Sequence, residues 1–387
     1  MNIGIFTDTY YPEINGVANS AYQLKNALEL IGHHVYVFTV SNPDVIYYEP
    51  GVMRFPSVPC AFIKERRVSF SLPKLLVKKV QILNLDIIHT QTEFGLGYLG
   101  RKIANHLELP VVHTYHTIYE DYTHYLKVPG NSKLKVVARE FSRRCCEHAD
   151  YIIVPSEKMK QLLESYGVEK RIFAQPTGVD FEKFNSHTED KMEKIKKMYH
   201  LEREQHILVS IGRLSKEKNL SEIINYISKI VKMDEKIKLL VVGDGPEREN
   251  LKKEVERFEL IEQVIFTGAI SWRNIENYFA IADAFVCASQ SETQGLTYIE
   301  ALAAGTPILV HNDPCLDGVL QQGVNGYGYD TYEEFFEGYQ KIVMSGAYRD
   351  IKMRANISNS IKNLSVGQFA KKIVAIYEMA LAKKSDI

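Results

Sequence analysis

Two glutamates, Glu292 and Glu300, are separated by seven residues in Ser291-Glu292-Thr293-Gln294-Gly295-Leu296-Thr297-Tyr298-Ile299-Glu300-Ala301, across a glycine turn that leads into a helical stretch. Glu292 falls in the loop and Glu300 about two turns into the helix. Backbone N–H groups near Gly295 and Leu296, at the helix start, suit an anion. A lone glutamate is ordinarily a solvated carboxylate, but this spacing followed by ALAAGTP is far more specific. Upstream, Gly212-Arg213-Leu214-Ser215-Lys216-Glu217-Lys218-Asn219 sets Arg213 and Lys218 on one strand-to-helix turn. Two fixed cations there suit a diphosphate whose charge grows as it leaves; the bland alternative is a solvated basic loop. Gly243-Asp244-Gly245-Pro246 forms a tight turn that lets backbone approach a ligand, and that also occurs as plain punctuation.

The first half carries two further loops. Thr7 to Val17 contains Gly16 just before a helix, where it either allows a phosphate to approach backbone N–H groups or serves only as a turn glycine. It lacks the G-x-G-x-x-G pattern, which disfavours a dinucleotide. The segment His113-Thr114-Tyr115-His116-Thr117-Ile118-Tyr119-Glu120-Asp121-Tyr122-Thr123-His124-Tyr125 is crowded with polar aromatics. Its histidines lack the spacing of an open metal site, so no metal is expected and a hydroxyl-recognising or acceptor-facing role is favoured.

Loops of this kind need strands to hold them. Apolar runs at Ile3 to Phe6, Val35 to Val40, Ile87–Ile88, Val111–Val112 and Tyr151–Val154 alternate with helical stretches, beginning with one from about Val17 to Ile31. That is the pattern of a parallel sheet covered on both faces. A charge-rich stretch between Phe181 and Gln205 reads as a connector or solvated helix. A second alternation follows in HILVSIGRL, SEIINYISKIVKM, KLLVVGDGP, VIFTGAI and DAFVCAS. The expected fold class is therefore α/β, with Rossmann-like domains over 1–180 and 200–365. Helical spacing of Phe369, Ile373, Val374, Ile376 and Tyr377 marks a last helix within 366–387, which either closes the second domain or crosses back to the first. In open sheets of this type ligands sit beyond the carboxyl ends of the strands, where all these loops fall.

Bulk properties agree with two folded domains and exclude other classes. Hydrophobic residues make up 45% and charged residues 25% of 387, and the formal net charge is −1, so no global attraction to nucleic acid or membrane exists. No cationic leader with an apolar core is visible, and no uncharged run approaches about 18 residues, so neither a signal peptide nor a spanning helix is expected. The five cysteines are scattered without C-x-x-C spacing, in keeping with reduced thiols and a cytoplasmic location.

With these residues in view, the chain resembles the retaining glycosyltransferases of family 4, whose fold is called GT-B: two Rossmann-like domains facing each other across a cleft. The Glu292/Glu300 pair, GRLSKEKN, GDGP and the first-loop glycine carry the resemblance, which runs from Met1 to about residue 380. Within the family it is most similar to bacterial diacylglycerol glucosyltransferases, on FTDTYYPEINGVA, TQTEFGLG, HTYHTIYEDYTHY, PTGVD and SETQGLTYIEALAAG. The resemblance implies a nucleotide-sugar donor bound by Gly16, Arg213, Lys218, Gly243, Glu292, Gly295, Leu296 and Glu300. It assigns the pyrophosphate to Arg213 and Lys218, the ribose to Glu300 and the sugar hydroxyls to Glu292. His116 would lie near the transferred sugar and the acceptor, and catalysis would rest on His116, Arg213, Lys218 and Glu292, with no cofactor and no bound metal. Two glycines stand in many family members where this chain has Asn15-Gly16.

The implied reaction moves a hexose, expected to be glucose from UDP-glucose, onto diacylglycerol at the inner face of the cell membrane. Glucose and galactose differ by one hydroxyl orientation that no motif here reads. A soluble sugar, a thiol precursor or a protein is the alternative acceptor. A lipid acceptor needs membrane contact, for which two basic segments, 64–79 and 127–144, are candidates. In the first, Lys64, Arg66, Arg67, Lys74, Lys78 and Lys79 are interleaved with Phe70, Leu72, Leu75, Leu76 and Val77. In the second the cations are Lys127, Lys133, Lys135, Arg139, Arg143 and Arg144. Ordinary solvated helix faces are the competing reading, and Pro73 interrupts any single helix through the first.

Overall fold

The computed structural model describes the chain except residues 14, 44, 46, 60–66, 70–72, 121–130 and 386–387. It divides into two compact units, Met1–Gly178 with Val366–Ile387, and Val179–Ser365.

The first unit holds strands β1 (Asn2–Phe6), β2 (His34–Val40), β3 (Val52–Phe55), β6 (Ile87–Thr90), β7 (Val111–Thr114), β8 (Tyr151–Val154) and β9 (Ile172–Ala174), while β4 (Ser57–Pro59) and β5 (Arg67–Ser69) form a separate antiparallel ribbon. The main sheet runs β3-β2-β1-β6-β7-β8-β9, with every neighbouring pair parallel. Its central strands are buried along their length, as helices covering both faces require. The strand order reverses between β1 and β6, whose Ile3 lies opposite Ile87, so the loops leaving these two strands share the switch point where open sheets take ligands.

The helix Gly16–Leu30 begins at Asn15, whose side chain accepts the Ala18 N–H. Its Ala21, Leu24 and Leu28 form one apolar face. Against it and the sheet lies the helix Val366–Ser385, whose Phe369, Ile373, Ile376, Tyr377 and Ala380 share a core with Ile3, Ile5, Leu24 and Leu28. The last helix thus belongs to the first unit, although the whole second unit precedes it in the chain.

The second unit repeats the plan with β10 (His206–Ile211), β11 (Ile237–Val242), β12 (Val264–Gly268), β13 (Ala284–Cys287), β14 (Ile308–His311) and β15 (Gly326–Tyr329) in the order β12-β11-β10-β13-β14-β15, all parallel. Its switch point lies between β10 and β13. The charge-rich stretch after Phe181 forms two helices, Phe181–Phe184 and Glu189–Met198, capped by Asp180 and Thr188. Ile195 is the buried anchor of the second helix.

The first basic segment keeps its break at Pro73, but its Leu76 and Val77 pack inward. No single helix runs through it, as Pro73 implies: Arg67–Ser69 is a strand, and Pro73 starts the helix Pro73–Ile82, where its missing N–H costs nothing. That helix turns Leu76 and Val80 into the core, with Val77 partly buried against it, so Leu76 and Val77 serve packing rather than an outward apolar face. Lys74 and Lys78 remain exposed. Residues 64–66, 70–72 and 127–130 of the two segments lie outside the described residues.

Candidate active site

In the second unit the switch point gathers the cations and the glutamates. Residues 212–218 leave β10 and residues 288–295 leave β13, and Lys218 Nζ donates to Glu292 Oε1 across the two loops. The cation and the carboxylate form an ion pair. Arg213 is exposed on the same loop as Lys218.

Two glycines make this geometry possible. Gly243 has φ +141°, and a Cβ there would stand 1.9 Å from the Gly212 carbonyl oxygen, so the GDGP turn can lie flat on the arginine loop only with glycine. Gly212 N–H donates to Val242 O at 3.0 Å and Leu214 N–H to Asp244 O at 3.0 Å, which tie the two turns together. Gly295 takes the left-handed conformation, φ +69°, ahead of the helix Leu296–Ala303, and a Cβ would meet the Tyr298 ring at 2.4 Å. No side chain caps this helix, so its first N–H groups stay available to an anion.

Glu300 sits in that helix with 5% exposure, its Oε1 accepting from the Trp272 indole N–H at 3.2 Å. Burial pushes its pKa up to about 7, opposed by the Trp272 hydrogen bond and the Lys183 charge. Lys183 lies 4.1 Å from the Trp272 ring centroid and 3.1 Å from Glu276 Oε2. Trp272 and Lys183 are absent from the sequence reading: each is an isolated residue whose relation to Glu300 exists only in three dimensions.

In the first unit Gly16 is the exposed first residue of its helix. The loop before it is braced by Asn15 Nδ2 donating to Thr9 Oγ1 at 2.8 Å and Thr9 Oγ1 donating to Glu13 Oε2 at 2.5 Å. His116 follows β7, half-buried, with its Nε2 2.7 Å from Gln91 Oε1. Burial brings its pKa down to about 4, the Glu93 charge opposing, so the ring is neutral at physiological pH.

Around His116 lies a buried polar cluster that joins His113 and Tyr119 of the same segment to Glu93. Tyr119 donates to Glu93 Oε2, while His113 Nε2 and Glu93 Oε1 face each other at 3.6 Å. Burial works against ionisation of Glu93, but His113 and Tyr119 more than offset it and hold the carboxyl below the usual range. Asp8, accepting from Leu96 N–H and Thr92 Oγ1 at 2.7 Å each, is pushed up to about 6 by burial. Beside Glu93 opens a groove of about 290 Å³, lined by Phe94, Tyr98, Phe141 and Cys145 among others. Glu93 was within reach of sequence reasoning, because TQTEFGLG directly follows a strand of a parallel sheet. Among the described residues no three His, Cys, Asp or Glu side chains converge as a metal requires.

The helix Asn131–Glu147 exposes Val136 and Val137 next to Lys135, but Arg143 pairs with Glu140 and Glu147, Arg144 with Glu140, and Arg139 with Glu120. Its positive charge is therefore largely balanced locally. No helix among the described residues is long and apolar enough to cross a membrane.

The sequence and the fold match known proteins across most of the chain. Residues 14–183 match the model of Glycosyltransferase Family 4, and residues 191–364 that of Glycosyl transferases group 1. A Streptococcus pneumoniae protein named alpha-monoglucosyldiacylglycerol synthase is 41% identical over 338 residues, spanning 85% of this chain and 75% of the relative. The Acholeplasma laidlawii protein of the same name is 32% identical over 86% of each chain. Among solved structures, Anabaena HepE in complex with UDP-glucose aligns with a TM-score of 0.74 at 16% identity, covering 98% of this chain and 100% of HepE. Sucrose-phosphate synthase from Thermosynechococcus elongatus aligns at 0.75 with 20% identity, over 99% of this chain and 100% of the synthase. On these matches, and on two parallel sheets that each carry their candidate residues at a switch point, the chain belongs to glycosyltransferase family 4, with the GT-B fold.

Proposed function

We propose that this glycosyltransferase moves glucose from UDP-glucose to diacylglycerol at a membrane surface, with retention of configuration and without a bound metal. The observation that carries the reading is the Lys218–Glu292 pair set beside Arg213 and the uncapped start of the helix Leu296–Ala303. A donor diphosphate takes Lys218 away from Glu292 and frees that carboxylate to accept from the sugar hydroxyls. Arg213, Lys218 and the helix N-terminus then stabilise the charge that grows on the leaving phosphate, the task a metal would otherwise perform. Glu300 accepts from the ribose hydroxyls.

Transfer proceeds on the face the nucleotide leaves. The bond between the anomeric carbon and the phosphate oxygen breaks, the bond to the acceptor oxygen forms, and the acceptor's proton passes to the departing phosphate oxygen. The protein supplies position and electrostatics, with neutral His116 accepting from a hydroxyl of the sugar.

The names of the Streptococcus and Acholeplasma relatives support the lipid acceptor, and UDP-glucose in the HepE complex supports the donor. The apolar groove at Phe94 and Phe141 offers room for hydrocarbon. Exposed Lys74, Lys78, Lys135, Val136 and Val137 suit an anionic interface.

The test is incubation with labelled UDP-glucose and mixed micelles of diacylglycerol and anionic lipid, followed by lipid extraction. Label in an α-linked glycolipid, lost in Glu292→Ala and unaffected by chelator, is the expected result. UDP release without labelled lipid would reject the lipid and leave a soluble acceptor.

A further inference from the structure

Four buried or half-buried polar side chains form a continuous line in the first unit. The Tyr377 hydroxyl, on the helix Val366–Ser385, is 2.6 Å from His89 Nδ1. His89 Nε2 is 2.7 Å from Thr114 Oγ1 and 3.1 Å from the Gln91 amide nitrogen. The Gln91 amide oxygen is 2.7 Å from His116 Nε2. Tyr377 and His89 are fully buried and Gln91 is 1% exposed, so bulk water cannot replace a missing partner.

The proton positions follow from what each group can do. Burial holds both imidazoles neutral, and a neutral imidazole has one N–H and one lone pair. The Gln91 amide nitrogen only donates, so His89 Nε2 accepts from it and from the Thr114 hydroxyl, and His89 keeps its proton on Nδ1 and donates to the Tyr377 oxygen. The Gln91 amide oxygen only accepts, so His116 carries its proton on Nε2. That leaves His116 Nδ1 as a lone pair, able to accept from a hydroxyl. Turning the amide over would reverse every assignment: His89 would hold its proton on Nε2, and His116 on Nδ1, where it could only donate.

We propose that Gln91 is a positioning residue that sets the tautomer of His116, and that His89 and Tyr377 hold the Gln91 amide in the orientation that does so. Its catalytic consequence rests on the reading that His116 works beside the transferred sugar. Tyr377 belongs to the last helix and lies 288 positions from His89 in sequence, so the helix that completes the first core also fixes a proton next to the site.

The line responds differently to three substitutions. Gln91→Leu removes both amide contacts and leaves His116 free to sample both tautomers. Tyr377→Phe strips the acceptor from His89 Nδ1; the proton moves to His89 Nε2, where Thr114 accepts it, and the amide turns over. His116 then becomes the Nδ1–H form. Gln91→Glu presents two accepting oxygens and keeps His116 as Nε2–H.

The measurement is long-range 1H–15N correlation of ring nitrogens in the full chain labelled at histidine, with His116 assigned by His116→Gln, alongside steady-state kinetics. Expected are the Nε2–H pattern in the wild type and Gln91→Glu, an averaged pattern in Gln91→Leu, and the Nδ1–H pattern in Tyr377→Phe. Gln91→Leu and Tyr377→Phe lower kcat roughly tenfold or more with donor KM little changed, while Gln91→Glu retains most activity. An Nδ1–H pattern in the wild type, or one pattern in all variants, overturns the proposal. A tautomer that moves as described with kcat unchanged upholds the relay and removes His116 from the chemistry, a failure of the functional reading instead.

Discussion

Glu300 couples stability to pH and, under the proposed function, donor binding as well. Its pKa of about 7 in the folded protein lies above the ordinary 4.5, so the folded state holds the proton more tightly than the unfolded chain. Stability is therefore highest below pH 4.5 as far as this group is concerned, and declines as pH rises through 7, by about 3 kcal/mol in all. Glu300→Gln, which keeps the Trp272 contact and carries no charge, should raise the unfolding midpoint of the second unit at pH 8 and leave it unchanged at pH 5, read by urea denaturation. If Glu300 meets the ribose as proposed, donor binding runs the other way, because ribose hydroxyls need the ionised acceptor. UDP affinity should strengthen by up to about tenfold between pH 6 and 8, with proton release seen by calorimetry in buffers of different ionisation enthalpy. A pH-independent affinity would mean that Glu300 does not meet the ribose. The Glu292/Glu300 spacing was legible in the sequence because both residues belong to one loop and helix. Trp272, Gln91, His89 and Tyr377 were not, since their partners come from distant parts of the chain and no local pattern encodes them.

At the scale of elements, the loops are shaped by backbone contacts that tolerate no side chain. Gly243→Ala places a methyl group against the Gly212 carbonyl and should destabilise the second unit by about 1–3 kcal/mol, while weakening UDP binding more than Lys218→Ala does, since it displaces the whole arginine loop. Thermal unfolding and UDP titration of both variants check this; wild-type UDP affinity in Gly243→Ala would refute it. The alternation of strands and helices could be read directly, because apolar runs buried on both faces leave a strong signal. The outward or inward direction of the basic helix Pro73–Ile82 could not. Lys and Leu alternate there in a way that fits an interfacial helix and a core helix equally, and only the packing of Leu76 and Val80 separates them.

At the scale of the molecule, the chain passes between its two units twice, after Gly178 and after Ser365. The first unit is therefore discontinuous, and its core depends on residues from the far end of the sequence. Ile373→Ala should cost the first unit about 2–5 kcal/mol and lower only its transition, leaving that of the second unit in place. Tryptophan fluorescence reports the second unit alone, because Trp272 is the sole tryptophan, and far-ultraviolet circular dichroism reports both. Coincident shifts in the two signals would show that the units unfold as one. Sequence periodicity located the last helix but not its partner, because the same apolar stripe fits either sheet.

That late helix reverses the usual order of events on the ribosome. Domains generally fold as they emerge, amino-terminal first. Here the unit made first stays unfinished, with Ile3, Ile5, Leu24 and Leu28 missing the surface that Phe369, Ile373 and Tyr377 bring, until the second unit has been synthesised and has had time to fold. A nascent chain interrupted before residue 366 would carry a finished second unit and, on the first, an open hydrophobic face of the kind that holdase chaperones capture.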